Sequence, residues 1–248
     1  MDTYEHRSGN GLVSLALIRD IAGDRRLLWI AVYAVAMAYI EATVVVYLRG
    51  LYGIQDLVRD VPTSVDAFTS IEVGREAATL VMLLAVGWVA GRRWSSALAY
   101  AAYAFGIWDI WYYVWLRVLV QWPASILDWD VLFLIPVQWW GPVLAPVLIA
   151  ALMAAAGGII AYRVERGDSF RWRWTGFGLL CLGAAVDFYT FIADALAALP
   201  GGWETLLHVK PSTFPWPLFL FGYGCMLLGT AMLVRWEPAL RPEPDAAI

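Results

Sequence analysis

Acidic side chains occur inside long apolar stretches of this chain, where an ionised group is costly. Six carboxylates have this setting: Glu41, Glu72, Glu76, Asp109, Asp187 and Asp194. Ionisable residues at membrane depth mark ligand sites, proton pathways or ion pairs. These six residues are therefore the first candidates for chemistry.

Helical spacing groups several of these residues on common faces. Glu72 and Glu76 are four residues apart, and Arg75 follows Glu72 by three, so all three share one side of a helix. Asp187 and Asp194 are seven residues apart, which is two helical turns. Polar faces of this kind avoid lipid, so we expect them to converge inside a bundle.

A second polar face contains aromatic hydroxyls. Asp109 is three and four residues before Tyr112 and Tyr113, and Tyr113 is four before Arg117. Tyrosine can donate a hydrogen bond to a carboxylate or a ligand. The sequence therefore predicts one ligand-binding or proton-binding site with arginines that orient the carboxylates. Its predicted members are Glu41, Glu72, Glu76, Asp109, Asp187, Arg75, Arg117, Tyr112 and Tyr113.

The charges in this zone do not balance. Only Arg49, Arg75 and Arg117 border the six carboxylates, which leaves a formal surplus of three negative charges. Buried carboxylates without partners become neutral. One interpretation is a wet pocket that holds protons or a cationic ligand. The alternatives are an ion-pair network with Arg75 and Arg117 as hubs, or carboxylates near helix ends that simply face interfacial water.

Cofactor ligands are scarce in the apolar stretches. The two histidines, His6 and His208, lie outside them, which argues against haem or chlorophyll held by imidazole. Cys181 and Cys225 are typical of small packing residues. We predict no cofactor and no metal site, although oxygen ligands would suit a hard cation such as Mg²⁺ or Ca²⁺.

The composition indicates the elements that must position these residues. Of the 248 residues, 61% are hydrophobic and 15% are charged, against about 45–50% and about 25% in soluble domains. This composition excludes a soluble enzyme and a disordered chain. The net charge of −4 offers no basic surface for nucleic acid.

A helix that crosses a bilayer needs about 20 mostly apolar residues. We predict an all-α bundle of six such helices in one domain, 27–236, between cytoplasmic tails at 1–26 and 237–248. The predicted spans are Leu27–Leu48, Ile71–Gly91, Ser95–Val120, Gly141–Tyr162, Thr175–Leu199 and Pro217–Val234. Glycines at 157, 158, 222, 224 and 229 are expected to permit close contacts between helices.

Basic residues predict the orientation of the bundle. With these spans, twelve of the 17 Lys and Arg residues fall on the side that holds both termini. Positive loops stay in the cytoplasm. We therefore expect both termini inside, in a bacterial-type cytoplasmic membrane.

Two shorter apolar segments cannot cross a bilayer. Leu12–Ile21 is predicted to be an interfacial helix. The segment 125–137, between spans three and four, is predicted to lie at the interface or to enter the membrane and return. Gly141 and Pro142 are expected to open the fourth span.

Three functions fit these features. The first is a membrane binding or transport protein that handles protons or a small cationic ligand. The second is an accessory subunit of a larger membrane assembly, and the third is a membrane enzyme that uses Glu76 and Asp109 for acid–base chemistry on a lipophilic substrate. The expected partners are the lipid bilayer and either other membrane subunits or further copies of this chain.

Overall fold

The computed structural model describes residues 19–21, 24–54, 67–135, 137–167, 173–207 and 209–234. Most of these residues are helical. The long helices are α1 (Arg25–Tyr52), α2 (Ala67–Ala90), α3 (Trp94–Val120), α4 (Leu144–Glu165), α5 (Trp174–Ala198) and α7 (Trp216–Val234). A short helix, α6 (Gly202–Leu207), follows a 3-10 turn at Leu199–Gly201. All six predicted apolar stretches therefore form helices.

Five helices of the described chain are long and apolar enough to cross a membrane: α1, α2, α4, α5 and α7. They indicate a multi-pass membrane protein whose apolar surfaces contact lipid. The remaining long helix, α3, has 27 residues, but its Tyr and Trp residues and Asp109 make it less apolar.

The position of α3 accounts for its polarity. It packs against α1, α2 and α4, so much of its surface faces protein rather than lipid. Tyr100, Ala104 and Leu116 of α3 are fully buried. A central helix can carry polar groups that a lipid-facing helix cannot.

Small residues permit the closest contacts between helices. Gly157 of α4 lies against the backbone of Ala99 and Tyr103 in α3, and Gly106 of α3 lies against α4. Glycine at such points lets two backbones approach each other. The prediction of close contact does not extend to Gly224, since no atom would approach a side chain there within 4 Å.

The segment between α3 and α4 forms an antiparallel hairpin. Its strands are β1 (Trp129–Phe133) and β2 (Trp139–Pro142), with Asp130 opposite Gly141. Gly141 and Pro142 therefore belong to a strand, and the prediction that they open the helix is wrong. A side chain at Gly141 would collide with the Phe191 ring, which explains the glycine there. The hairpin covers one end of the bundle, which we call the hairpin side.

A polar contact ties the helices together at the opposite end. The Glu165 carboxylate accepts hydrogen bonds from Arg26 Nη1 at 2.6 Å, Ser96 Oγ at 2.7 Å and the Arg92 amide at 2.9 Å. These partners come from α1, from α3 and from the turn before α3. Glu165 therefore joins three helix ends through charge-assisted hydrogen bonds.

Two predicted regions lie largely or wholly outside the described residues. Of the proposed interfacial helix, Leu12–Ile21, only residues 19–21 are described, and they are helical. The proposed C-terminal tail, 237–248, lies entirely outside.

Candidate functional site

Arg75 forms the centre of an ion-pair group on the hairpin side. Its guanidinium pairs with Glu41 of α1 and with Glu72, one turn earlier on α2. Arg75 Nε lies 3.0 Å from both oxygens of Glu72. Thr79 Oγ1 donates to Glu41 Oε2 at 3.1 Å, so the Glu41 carboxylate has two partners on α2.

Glu76 connects α2 to the hairpin. Its carboxylate accepts the Leu134 amide N–H, with Oε2 at 2.9 Å and Oε1 at 3.2 Å. The side chain is buried. Helical spacing places Glu76 beside Arg75, yet its hydrogen bond comes from the loop that follows β1.

Asp109 and Asp130 form a second carboxylate pair nearby. The two groups are close enough to interact electrostatically, and only 8% of Asp109 and 2% of Asp130 are exposed. Tyr113 donates its hydroxyl to Asp130 Oδ2 at 3.1 Å. Asp109 Oδ2 is buried and has no hydrogen-bond partner among the described residues.

Tyr112 lies where these groups converge. It interacts electrostatically with Arg49, Arg75, Asp109 and Asp130. The ion-pair group and the carboxylate pair therefore belong to one site. We call this the hairpin-side cluster, and its members are Glu41, Arg49, Glu72, Arg75, Glu76, Asp109, Tyr112, Tyr113 and Asp130.

Arg49 is the second cation of the cluster. Its guanidinium stacks over the Trp122 ring, 4.1 Å from the ring centroid. Its Nε and Nη2 atoms are buried and have no hydrogen-bond partner among the described residues. The positive charge of Arg49 also acts on Asp130 and partly compensates that carboxylate.

Burial dominates the titration of Asp130, which lies on β1 outside the long helices. Loss of water raises the pKa of Asp130 to about 6, from an ordinary value of 3.8. The Arg49 charge and the hydrogen bonds from Tyr113 and the Val131 amide oppose this rise. A carboxyl of this kind changes its charge close to neutral pH.

The structure gathers seven of the nine predicted site residues into this cluster. Arg117 instead donates to the carbonyl oxygens of Gln121 and Pro123, beyond the end of its own helix. Asp187 lies against α7 on another helix pair. Asp194 accepts hydrogen bonds from the amide and hydroxyl of Ser212, with 2.7 Å to the hydroxyl.

Sequence reasoning did not identify Asp130 as a site residue. The signal was present, because an aspartate stands alone in the apolar run WDVLF. The hairpin places Asp130 next to Tyr113, and this contact is what identifies it as a member of the cluster. Across the described residues, no group of three or more His, Cys, Asp or Glu side chains is arranged to hold a metal ion.

Comparisons with known proteins give no further assignment. No family model matches the chain, and neither a curated protein nor a solved structure is found to be similar to it.

Proposed function

We propose that this protein binds or transports protons, or a small cationic ligand, at the hairpin-side cluster. The observation that carries the proposal is the charge imbalance of the cluster. It contains five carboxylates and two arginines, Arg49 and Arg75, so three negative charges lack a counter-charge within it. Arg75 is already paired with Glu41 and Glu72.

Because these carboxylates are largely buried, their uncompensated negative charges are unfavourable. An ionised carboxylate without a partner is unstable away from water, so it takes up a proton or attracts a cation. Asp109 is the best candidate for the exchanging group, because it is buried and its Oδ2 atom has no partner among the described residues. In this proposal Tyr112 and Tyr113 supply hydroxyl groups, and Arg75 fixes the carboxylates around it.

The proposal includes a membrane topology. We infer that α3 also spans the bilayer, which gives six spans with both termini in the cytoplasm. The length of α3, 27 residues, supports this, as does the concentration of basic residues away from the hairpin side. The cluster then opens toward the non-cytoplasmic side of a bacterial-type cytoplasmic membrane.

A proteoliposome experiment tests the proposed function. The purified protein is reconstituted with a pH-sensitive dye inside the vesicles, and proton flux is followed at several external pH values, with and without ethylammonium. We expect a pH-dependent flux that ethylammonium competes with. Asp109→Asn should lower the flux about tenfold or more, because a neutral amide cannot exchange the proton.

Asp194→Asn is the matched control. It makes the same chemical change on the hairpin side, at a carboxylate that is bonded to Ser212 outside the cluster. We expect its flux to equal that of the wild type. A folded Asp109→Asn protein with an unchanged pH profile and unchanged competition would contradict the proposal.

A further inference from the structure

Asp187 is buried without a hydrogen-bond partner among the described residues, and it is not a member of the hairpin-side cluster. Only 1% of the residue is exposed, and neither carboxylate oxygen accepts a hydrogen bond from any described residue. The nearby Thr190 hydroxyl donates to the main-chain carbonyl of Asp187, at 2.7 Å, and not to its side chain.

The α7 helix closes over this carboxyl group. Gly222 packs directly on it, and a Cβ atom at that position would overlap Oδ1 and lie 2.9 Å from Cγ of Asp187. The carbonyl oxygen of Gly183, one turn earlier on α5, would lie 3.0 Å from the same Cβ position. The contact between α5 and α7 therefore leaves no room for a water molecule at Gly222.

The elements around Asp187 provide no counter-charge. Neither α7 nor β2 contains an Asp, Glu, Lys or Arg residue. Tyr223 of α7 is close enough to interact electrostatically, but its hydroxyl donates to the Leu148 carbonyl at 3.2 Å. In α4, Arg163 contacts the Val234 carbonyl and Glu165 binds Arg26, both at the end far from the hairpin.

A neutral carboxyl group suits this environment. An ionised carboxylate with neither donor nor cation carries a large desolvation cost. A protonated carboxyl has one O–H donor, and the Gly183 carbonyl is an acceptor on the preceding turn. We propose that Asp187 is a second proton-binding site, separate from the cluster, where the proton is held at the contact between α5 and α7.

This site does not depend on the proposed function of the cluster. Loss of its proton would leave a charge against Gly222, so water or a cation would have to enter between the helices. Release of the proton is therefore coupled to separation of α5 from α7. Asp187 can hold a proton whether the cluster conducts protons or only joins helices.

Infrared spectroscopy of the purified full-length protein tests the inference, because protonated and ionised carboxyl groups absorb at different frequencies. At neutral pH, the wild-type protein should show one carboxylic acid band that is missing from the spectrum of Asp187→Asn. Asp194→Asn, changed at a carboxylate that is bonded to Ser212, should retain that band.

Stability provides a second measurement. A native state that holds an extra proton loses stability as the pH rises above the unfolded pKa of about 4. The melting temperature of Asp187→Asn should therefore fall less than that of the wild type between about pH 4 and neutral pH. If the asparagine variant does not fold, Asp187→Thr replaces it, since threonine can bond to the carbonyl one turn earlier. Loss of carboxylate bands instead of the acid band in the folded variant would overturn the inference.

Discussion

At the scale of single residues, the available hydrogen-bond donors distinguish one carboxyl group from another. Glu41, Glu72 and Glu76 have donors from Arg75, Thr79 or a backbone amide. Asp109 and Asp187 have buried oxygens without donors among the described residues. The presence of a donor thus separates the carboxylates that are held in ion pairs and hydrogen bonds from the two carboxyl groups proposed to bind protons.

Asp130 gives a pH-dependent prediction. Its pKa in the folded protein is about 6, against an ordinary 3.8, so the folded state binds this proton more tightly than the unfolded state. The resulting stabilisation is complete below about pH 4 and is lost as the pH rises to about 6. This difference corresponds to about 3 kcal/mol.

Asp130→Asn should remove that dependence. We expect the variant to show a smaller fall in melting temperature between about pH 4 and about pH 7 than the wild type, in detergent. Asp128→Asn is the control, because this neighbour caps the preceding turn by accepting the Ala124 amide at 2.7 Å. An identical fall in the wild type and in Asp130→Asn would show that Asp130 does not titrate in this range.

At the scale of elements, the sequence predicts the helices well. The six helices begin within about four residues of the predicted positions, because long apolar runs bounded by charges specify them. The hairpin could not be predicted, since the apolar run of 131–137 suits a strand, an interfacial segment or a buried turn equally. Pairing with β2 depends on contacts distant in sequence, such as that of Gly141 with Phe191.

The same limit applies to the site. Spacing along one helix correctly joins Glu72 to Arg75, but it cannot show which helices become neighbours. In the sequence, Asp187 and Asp109 therefore have the same character, since each is an aspartate within a long apolar stretch. Packing assigns one to the contact with α7 and the other to the hairpin-side cluster.

The contact between α5 and α7 gives a matched pair of variants. Gly222→Ala should destabilise the protein, because its Cβ would overlap the Asp187 carboxyl group and force the helices apart; overpacking of this kind costs about 1–3 kcal/mol. Gly224→Ala lies on the same helix with no atom within 4 Å of its new Cβ. It should be neutral or slightly stabilising.

Thermal unfolding of both glycine variants in the same detergent measures this difference. A lower melting temperature for Gly222→Ala alone supports the close contact. Equal melting temperatures would mean that α5 and α7 are further apart than the structure shows.

At the scale of the whole molecule, two polar centres lie at opposite ends of the bundle. The hairpin-side cluster has a surplus of acid, whereas Glu165 at the other end is satisfied by Arg26, Ser96 and Arg92. The hairpin side therefore lacks positive charge to balance its carboxylates, whereas the carboxylate at the opposite end is fully paired and joins helix ends. A directional function requires that these ends face different compartments.

Cysteine labelling tests whether they do. In a variant with Cys181→Ser and Cys225→Ser, single cysteines are placed at Ser125 in the loop before the hairpin and at Arg93 in the turn between α2 and α3. Both positions are exposed. With both termini in the cytoplasm, a membrane-impermeant maleimide should label Ser125→Cys in intact spheroplasts and Arg93→Cys only after lysis. Labelling of both sites before lysis would show that α3 does not cross the membrane, and the reverse pattern would turn the acidic cluster toward the cytoplasm.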